Sequence, residues 1–116
     1  MYLQWEVWRV MWPFENGQTM ERYALLFSPN SHNQTGEAPY FMKISTRDRP
    51  EATSKIFVAV GDPRFAGCNL PEDSYFYPGK VKRLIHPDTL WVVGSIPKAG
   101  QEVVTKEIMR VTGMPS

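Results

Sequence analysis

The segment from Trp5 to Pro29, W-E-V-W-R-V-M-W-P-F-E-N-G-Q-T-M-E-R-Y-A-L-L-F-S-P, constrains the fold more than any other part of the chain. Glu6 to Trp12 is dense in Trp and Val, side chains that suit a pleated, half-buried surface, and Pro13 closes the run. Glu15 to Thr19 carries turn chemistry, because Asn16 and Gly17 tolerate positive φ. Tyr23 to Phe27 is a second short apolar run, stopped by Ser28-Pro29-Asn30. The pattern predicts two strands joined by a polar loop, with Arg22 where the loop becomes the second strand. A guanidinium held at a strand mouth beside a flexible loop is suited to contact phosphate.

Size and composition set the outer bounds. The 116 residues suit one domain, 1–116, with a modest core. A net charge of +1 gives no global field for nucleic acid, so any basic site must come from local clustering. Cys68 is the single cysteine, and no Cys/His set has zinc-ligand spacing, so neither a disulfide nor a metal is expected and a reducing, cytoplasmic setting is. No apolar run approaches the ~18 residues that span a bilayer, and no charged-then-apolar leader opens the chain, so no membrane partner is expected. Ten prolines, eight glycines, four Trp, five Tyr and six Phe favour short strands and many turns over a helical bundle.

Along the rest of the chain, Ser31 to Pro39 reads as a loop and Tyr40 to Thr46 as a third strand, with Tyr40, Met42 and Ile44 on one face and Phe41, Lys43 and Ser45 on the other. Arg47 to Ser54 is a charged loop, Lys55 to Val60 a fourth strand, and Arg64 to Pro71 irregular. Ser74 to Tyr77 and Lys80 to Ile85 read as two short strands around Pro78-Gly79, and Thr89 to Gly94 as a last one. Only the C-terminus has helical period: Val104, Ile108 and Val111 recur, with Val103 beside them. Ser95 is the candidate N-cap, Pro97 sits in the first turn, and Gly113 is the candidate C-cap. Gly100 weakens this helix by ~1 kcal/mol relative to Ala.

In this order three segments resemble the MazF/PemK family of type II toxins. They are E-V-W-R-V-M-W-P at 6–13, R-Y-A-L-L-F-S-P at 22–29, and L-P-E-D-S-Y-F-Y-P-G-K-V-K-R-L-I at 70–85 followed by L-W-V-V-G-S-I at 90–96 and the terminal helix. The resemblance covers nearly the whole chain. It departs at Gln4, where the family has Gly, at Tyr23, where it has Pro, and in the first loop, which lacks the Gly-rich segment. It implies a mainly β fold, a small SH3-like barrel of about five to seven short strands with a C-terminal helix. It further implies a metal-independent, cofactor-free endoribonuclease acting on single-stranded RNA, a homodimer, and a cognate antitoxin whose tail lies across the RNA-binding face.

The chemistry that the resemblance implies uses the ribose 2′-hydroxyl as nucleophile and needs a group to stabilise charge on the phosphorane. Arg22 fits that task, since a guanidinium meets phosphate oxygens bidentately and stays charged. The family's hydroxyl follows the third strand's Ile, which here gives Ile44-Ser45-Thr46: Ser45 matches better in position and Thr46 in chemistry. Lys43, Arg47, Arg49, Lys55 and Arg64 are candidate RNA contacts, with Lys80, Lys82 and Arg83 further along, provided they converge on one face rather than forming a charge-mixed surface. His32 and His86 read as exposed loop residues, Cys68 as inert, and Glu72-Asp73 as neighbours pointing to opposite faces. Trp8 and Trp12 share one strand face. Two other activities stand beside the nuclease: a catalytically inactive barrel that binds protein or nucleic acid, and a gyrase poison, although the C-terminus lacks the Trp such poisons use.

Overall fold

A computed structural model describes residues 1–112. Its opening hairpin pairs β1 (Glu6–Pro13) with β2 (Thr19–Leu26), antiparallel, from Val7 opposite Leu25 to Pro13 opposite Thr19. The connecting turn is closed by Phe14 N–H donating to Gln18 O at 2.8 Å, with Gly17 at φ 84. β2 therefore starts four residues before the apolar run, and Arg22 lies inside the strand, opposite Val10, rather than at its mouth. The polar T-M-E-R quartet has little strand propensity of its own; the ladder offered by β1 holds it extended.

The remaining elements follow the expected order with altered limits. One helical turn, α1 (Asn30–Asn33), occupies the predicted loop, and β3 (Tyr40–Ser45) ends one residue early. His32 sits in α1 half-buried, its Nε2 3.0 Å from Ala38 O and its ring 5.3 Å from that of Tyr40, so it is not the exposed loop residue expected. β4 (Ile56–Val58) is shorter than the predicted 55–60, and Asp62 caps a 3-10 turn at Pro63–Phe65 by accepting Arg64 N–H at 2.9 Å. β5 (Ser74–Arg83) is one strand, not two. Its register against β3 shifts between Met42 and Lys43, so Pro78-Gly79-Lys80 is absorbed as an irregularity without ending the strand. β6 (Thr89–Ser95) leads into α2 (Lys98–Thr112). Ser95 is thus the end of β6 and not the helix cap; Pro97 O takes the first helical bond, from Gln101 N–H at 3.0 Å. Gly113 lies outside the described residues.

The six strands form one sheet in the order β4-β5-β3-β2-β1-β6, with every neighbour antiparallel. Both faces of its middle are buried. One face packs Val7, Leu25, Met42, Ile44, Ile56, Val58 and Phe76 against Phe65, Cys68, Ile96 and Val104 of the capping segments. The other packs Trp8, Val10, Trp12, Ala24, Leu26 and Phe41 with Leu84, and Tyr2 and Phe14 close over it. Strands from both ends of the sheet contribute to the first core, so the sheet coils around it. Two buried faces explain why β1 reads as nearly continuous apolar sequence, and Trp8 and Trp12 do share a face. Trp5 takes no place in the alternation: it precedes the strand at φ 76 and packs on the first core.

On α2, Val104 is buried and Val103 and Ile108 lean on the first core, while Val111 is exposed, so the apolar stripe stops a turn early. Gly100 has a packing reason. A Cβ there would overlap Arg64 O of the 3-10 turn and crowd Ile96 and Phe65. Gly94 is similarly pressed against Gly67 O. No described helix is long and apolar enough to cross a membrane. Gly100→Ala is expected to lower stability by about 1–3 kcal/mol, the cost of overpacking, where helix propensity alone would raise it by about 1 kcal/mol. Urea unfolding of the two proteins checks the sign.

Candidate nucleic-acid interface

The sheet forks at one end. β2 pairs with β3 only from Leu26 opposite Phe41 to Tyr23 opposite Ile44. Beyond that rung β2 stays with β1 as far as Thr19, and β3 stays with β5 through Ser45 opposite Tyr75. One rung further would pair Arg22 with Ser45, so these two side chains stand on the same face, one on each side of the point where the ladder parts. Directly opposed residues in an antiparallel pair share a face, and here it is the face that also carries Lys43.

A cleft of about 440 Å³ opens at this fork, and Arg22, Ser45, Thr46, Lys43, Arg47 and Arg49 all line it. Arg9, Phe14, Glu21, Tyr23, Ile44, Glu72 and Ser74 complete its wall. Each cation is held by identifiable contacts. Arg22 donates through Nη1 to Glu21 O at 2.8 Å, and its guanidinium carbon lies 5.4 Å from the Phe14 ring centre. Lys43 Nζ lies 4.8 Å from the same ring, so Phe14 gathers both charges by cation–π attraction. The loop bearing Arg47 and Arg49 is pinned by Tyr77, whose hydroxyl donates to Arg47 O at 2.6 Å and accepts Arg49 N–H at 2.9 Å. Ser45 Oγ accepts Arg47 N–H at 3.1 Å, which leaves its own proton to donate. Thr46 follows the strand end and is exposed.

Four of these cations lack a carboxylate partner. Among the described residues Arg22, Lys43, Arg47 and Arg49 make no ion pair; only Arg9 does, with Glu21 at 2.8 Å. The consequence shows on Lys43. Burial, then the charges of Arg49, Lys80, Arg22 and Arg47, push its ammonium below the usual lysine range. Lys80 reaches this neighbourhood because the β5 irregularity lies opposite Lys43. A site with four unpaired cations and only Glu21 and Glu72 among its lining carboxylates is suited to take an anion.

Two of the candidate RNA contacts are elsewhere. Lys55 is ion-paired to Asp48, and Arg64 to Asp62 at 2.8 Å, and neither lines the cleft. A smaller hollow of about 210 Å³ beside Asp62 is lined mainly by backbone and apolar side chains from Val58 to Leu70. Conversely, Arg9, Phe14 and Tyr23 belong to the cleft and sequence reasoning passed them over. Arg9 carried a signal, being the one charge inside the apolar run from Val7 to Trp12.

No protein-family model and no curated protein matches this sequence. Solved structures do. An endoribonuclease in complex with its cognate antitoxin, from a mycobacterial species, superposes with a TM-score of 0.75 at 16% identity, over 100% of this chain and 99% of that one. A second mycobacterial endoribonuclease gives 0.70 at 17% identity, over 99% and 94% of the two chains. The chain has their fold. The match runs end to end.

Lys43 also makes a stability prediction. Its folded-state pKa is depressed, so the protonated side chain opposes folding at neutral pH. That penalty is relieved as pH rises from the lowered value toward the ordinary ~10.4. Lys43→Met is therefore expected to raise the melting temperature at neutral pH. A lower melting temperature would show that the like-charge crowding is not felt.

Proposed function

We propose that this chain is the toxin of a type II toxin–antitoxin pair, a metal-independent endoribonuclease that cuts single-stranded RNA at the fork of the sheet. The observation that carries the reading is Arg22 opposite Ser45 across the parted ladder, in a cleft whose cations outnumber its carboxylates. The end-to-end likeness to structures of endoribonucleases supports it. In this reading the scissile phosphate lies between Arg22 and Ser45. The adjacent 2′-hydroxyl gives its proton to solvent water and attacks phosphorus, the bond to the 5′-oxygen breaks, and that oxygen takes a proton from water. The products are a 2′,3′-cyclic phosphate and a free 5′-hydroxyl.

Arg22 stabilises the equatorial oxygens of the phosphorane, and the Ser45 hydroxyl donates to one of them. Lys43, Arg47 and Arg49 lower the free energy of the 2′-alkoxide and hold the flanking phosphates. Between the two hydroxyls, Ser45 takes the role because it shares the face of Arg22 and Lys43, whereas Thr46 follows it out of the strand. No step is assigned to a metal or cofactor. The setting is the cytoplasm, the assembly a homodimer. The partner is an antitoxin segment carrying enough carboxylate to occupy the cleft, as suits a fold also found in complex with a cognate antitoxin.

Incubating the purified protein with a long mixed-sequence RNA in chelator is expected to yield fragments ending in 2′,3′-cyclic phosphate, read by mass spectrometry. Arg22→Ala should reduce cleavage by about 10³-fold or more, and Ser45→Ala by about 10–100-fold, the worth of one hydrogen bond to a charged group. Thr46→Ala should stay within a few-fold. Intact RNA across many sequences, with binding retained, would leave the non-catalytic binding barrel as the function.

A further inference from the structure

A row of side chains crosses the sheet from its free edge to the cleft. Register places Trp91 of β6 opposite Arg9 of β1, and Arg9 opposite Tyr23 of β2. Arg9 and Tyr23 line the cleft, and Trp91 stands beyond them on the edge strand. The Arg9 guanidinium lies 4.4 Å from the Tyr23 ring centre and is fixed in that pose by the bond from its Nε to Glu21 Oε1 at 2.8 Å. Trp91 is 55% exposed, while Trp8 and Trp12 are buried. The Trp91 indole is therefore open to a ligand on the edge strand. What this row offers is an exposed ring next in register to a flat, delocalised cation that lies over a second ring. That is the surface on which successive bases of a single strand stack, whatever their sequence.

We infer that the Trp91–Arg9–Tyr23 row is a nucleobase platform that carries single-stranded RNA away from the scissile position toward the β6 edge. The inference rests on the nuclease reading, because it needs RNA in the cleft, and it adds a subsite to it. The occupant is RNA because Arg9 and Tyr23 line the same cleft as the unneutralised cations, reaching it from the opposite face of the sheet. Two strand spacings of ~4.8 Å separate Trp91 from Tyr23. That distance of about 10 Å spans roughly three nucleotides at a stacked rise of ~3.4 Å. Glu21 is the positioning residue of the row, acting through Arg9.

The test uses uncleavable 2′-O-methyl strands of two lengths, about three and about ten nucleotides, with affinity measured by fluorescence polarisation. Trp91→Ala is expected to weaken the long strand about tenfold, one stacked base, and to change the short one by less than twofold. Trp91→Phe should keep most of the affinity. Abasic residues at the end of the long strand should bring the wild type down to the Trp91→Ala level. Binding of the long strand should quench the tryptophan emission of the wild type and not that of Trp91→Phe. Arg22→Ala should weaken both lengths alike, which separates the cleft from the row. Unchanged long-strand affinity in Trp91→Ala would overturn the platform. So would equal losses on both lengths, or a shift in sedimentation showing that a second copy of this chain sits on Trp91. A wild type that binds neither strand would overturn the nuclease reading with it.

Discussion

The β2–β3 ladder carries the organisation of this molecule, and where it stops matters as much as where it runs. From Leu26/Phe41 to Tyr23/Ile44 it joins the two halves of the sheet through residues buried on both faces. That double burial fixes register, since a slip by one residue would exchange Leu25 with Ala24 and Lys43 with Ile44 between the faces. Past Tyr23 each strand keeps one partner and loses the other. The apolar faces end there as well, so the first side chains beyond the last common rung, Arg22 and Ser45, are also the first that can meet a solvent-borne ligand.

The electrostatics follow from the same geometry. A chain with net charge +1 holds an anion site by separating its charges locally. Asp48, Asp62 and Glu107 are spent on Lys55, Arg64 and Arg110 away from the fork, and Glu21 on Arg9 within it. Arg22, Lys43, Arg47 and Arg49 are left to one another. They stay close because Phe14 and Tyr77 hold their bases: one by cation–π contact, the other by fixing the backbone of the 47–49 loop. The site thereby presents preorganised positive charge, an arrangement suited to holding a polyanion.

Much of the fold was legible in the sequence. The apolar-dense β1, the Asn16-Gly17 turn, the third strand and the C-terminal 3.6-residue period each follow from local composition, and their order carried the family resemblance. What local reasoning missed depends on partners. Thr19 to Arg22 is strand only because β1 templates it, Pro78-Gly79 is absorbed because β3 runs past it, and Gly100 is demanded by a carbonyl thirty-six residues away in the chain, at Arg64. The site divides the same way. Arg22 and Ser45, far apart in the chain, line one cleft at the fork. The basic residues could not be sorted from sequence, because Lys55 and Arg64 differ from Lys43 and Arg49 only in having a carboxylate within reach. Arg9 escaped notice because its role rests on a cross-strand neighbour, Tyr23.

The central claim is that RNA is held at the fork. Amide chemical-shift mapping with an uncleavable single strand tests it most directly. The account predicts that the largest perturbations fall on residues 20–23 and 43–49, with Phe14 among them. Perturbations concentrated around the Val58–Leu70 hollow or along α2, with the fork silent, would contradict it.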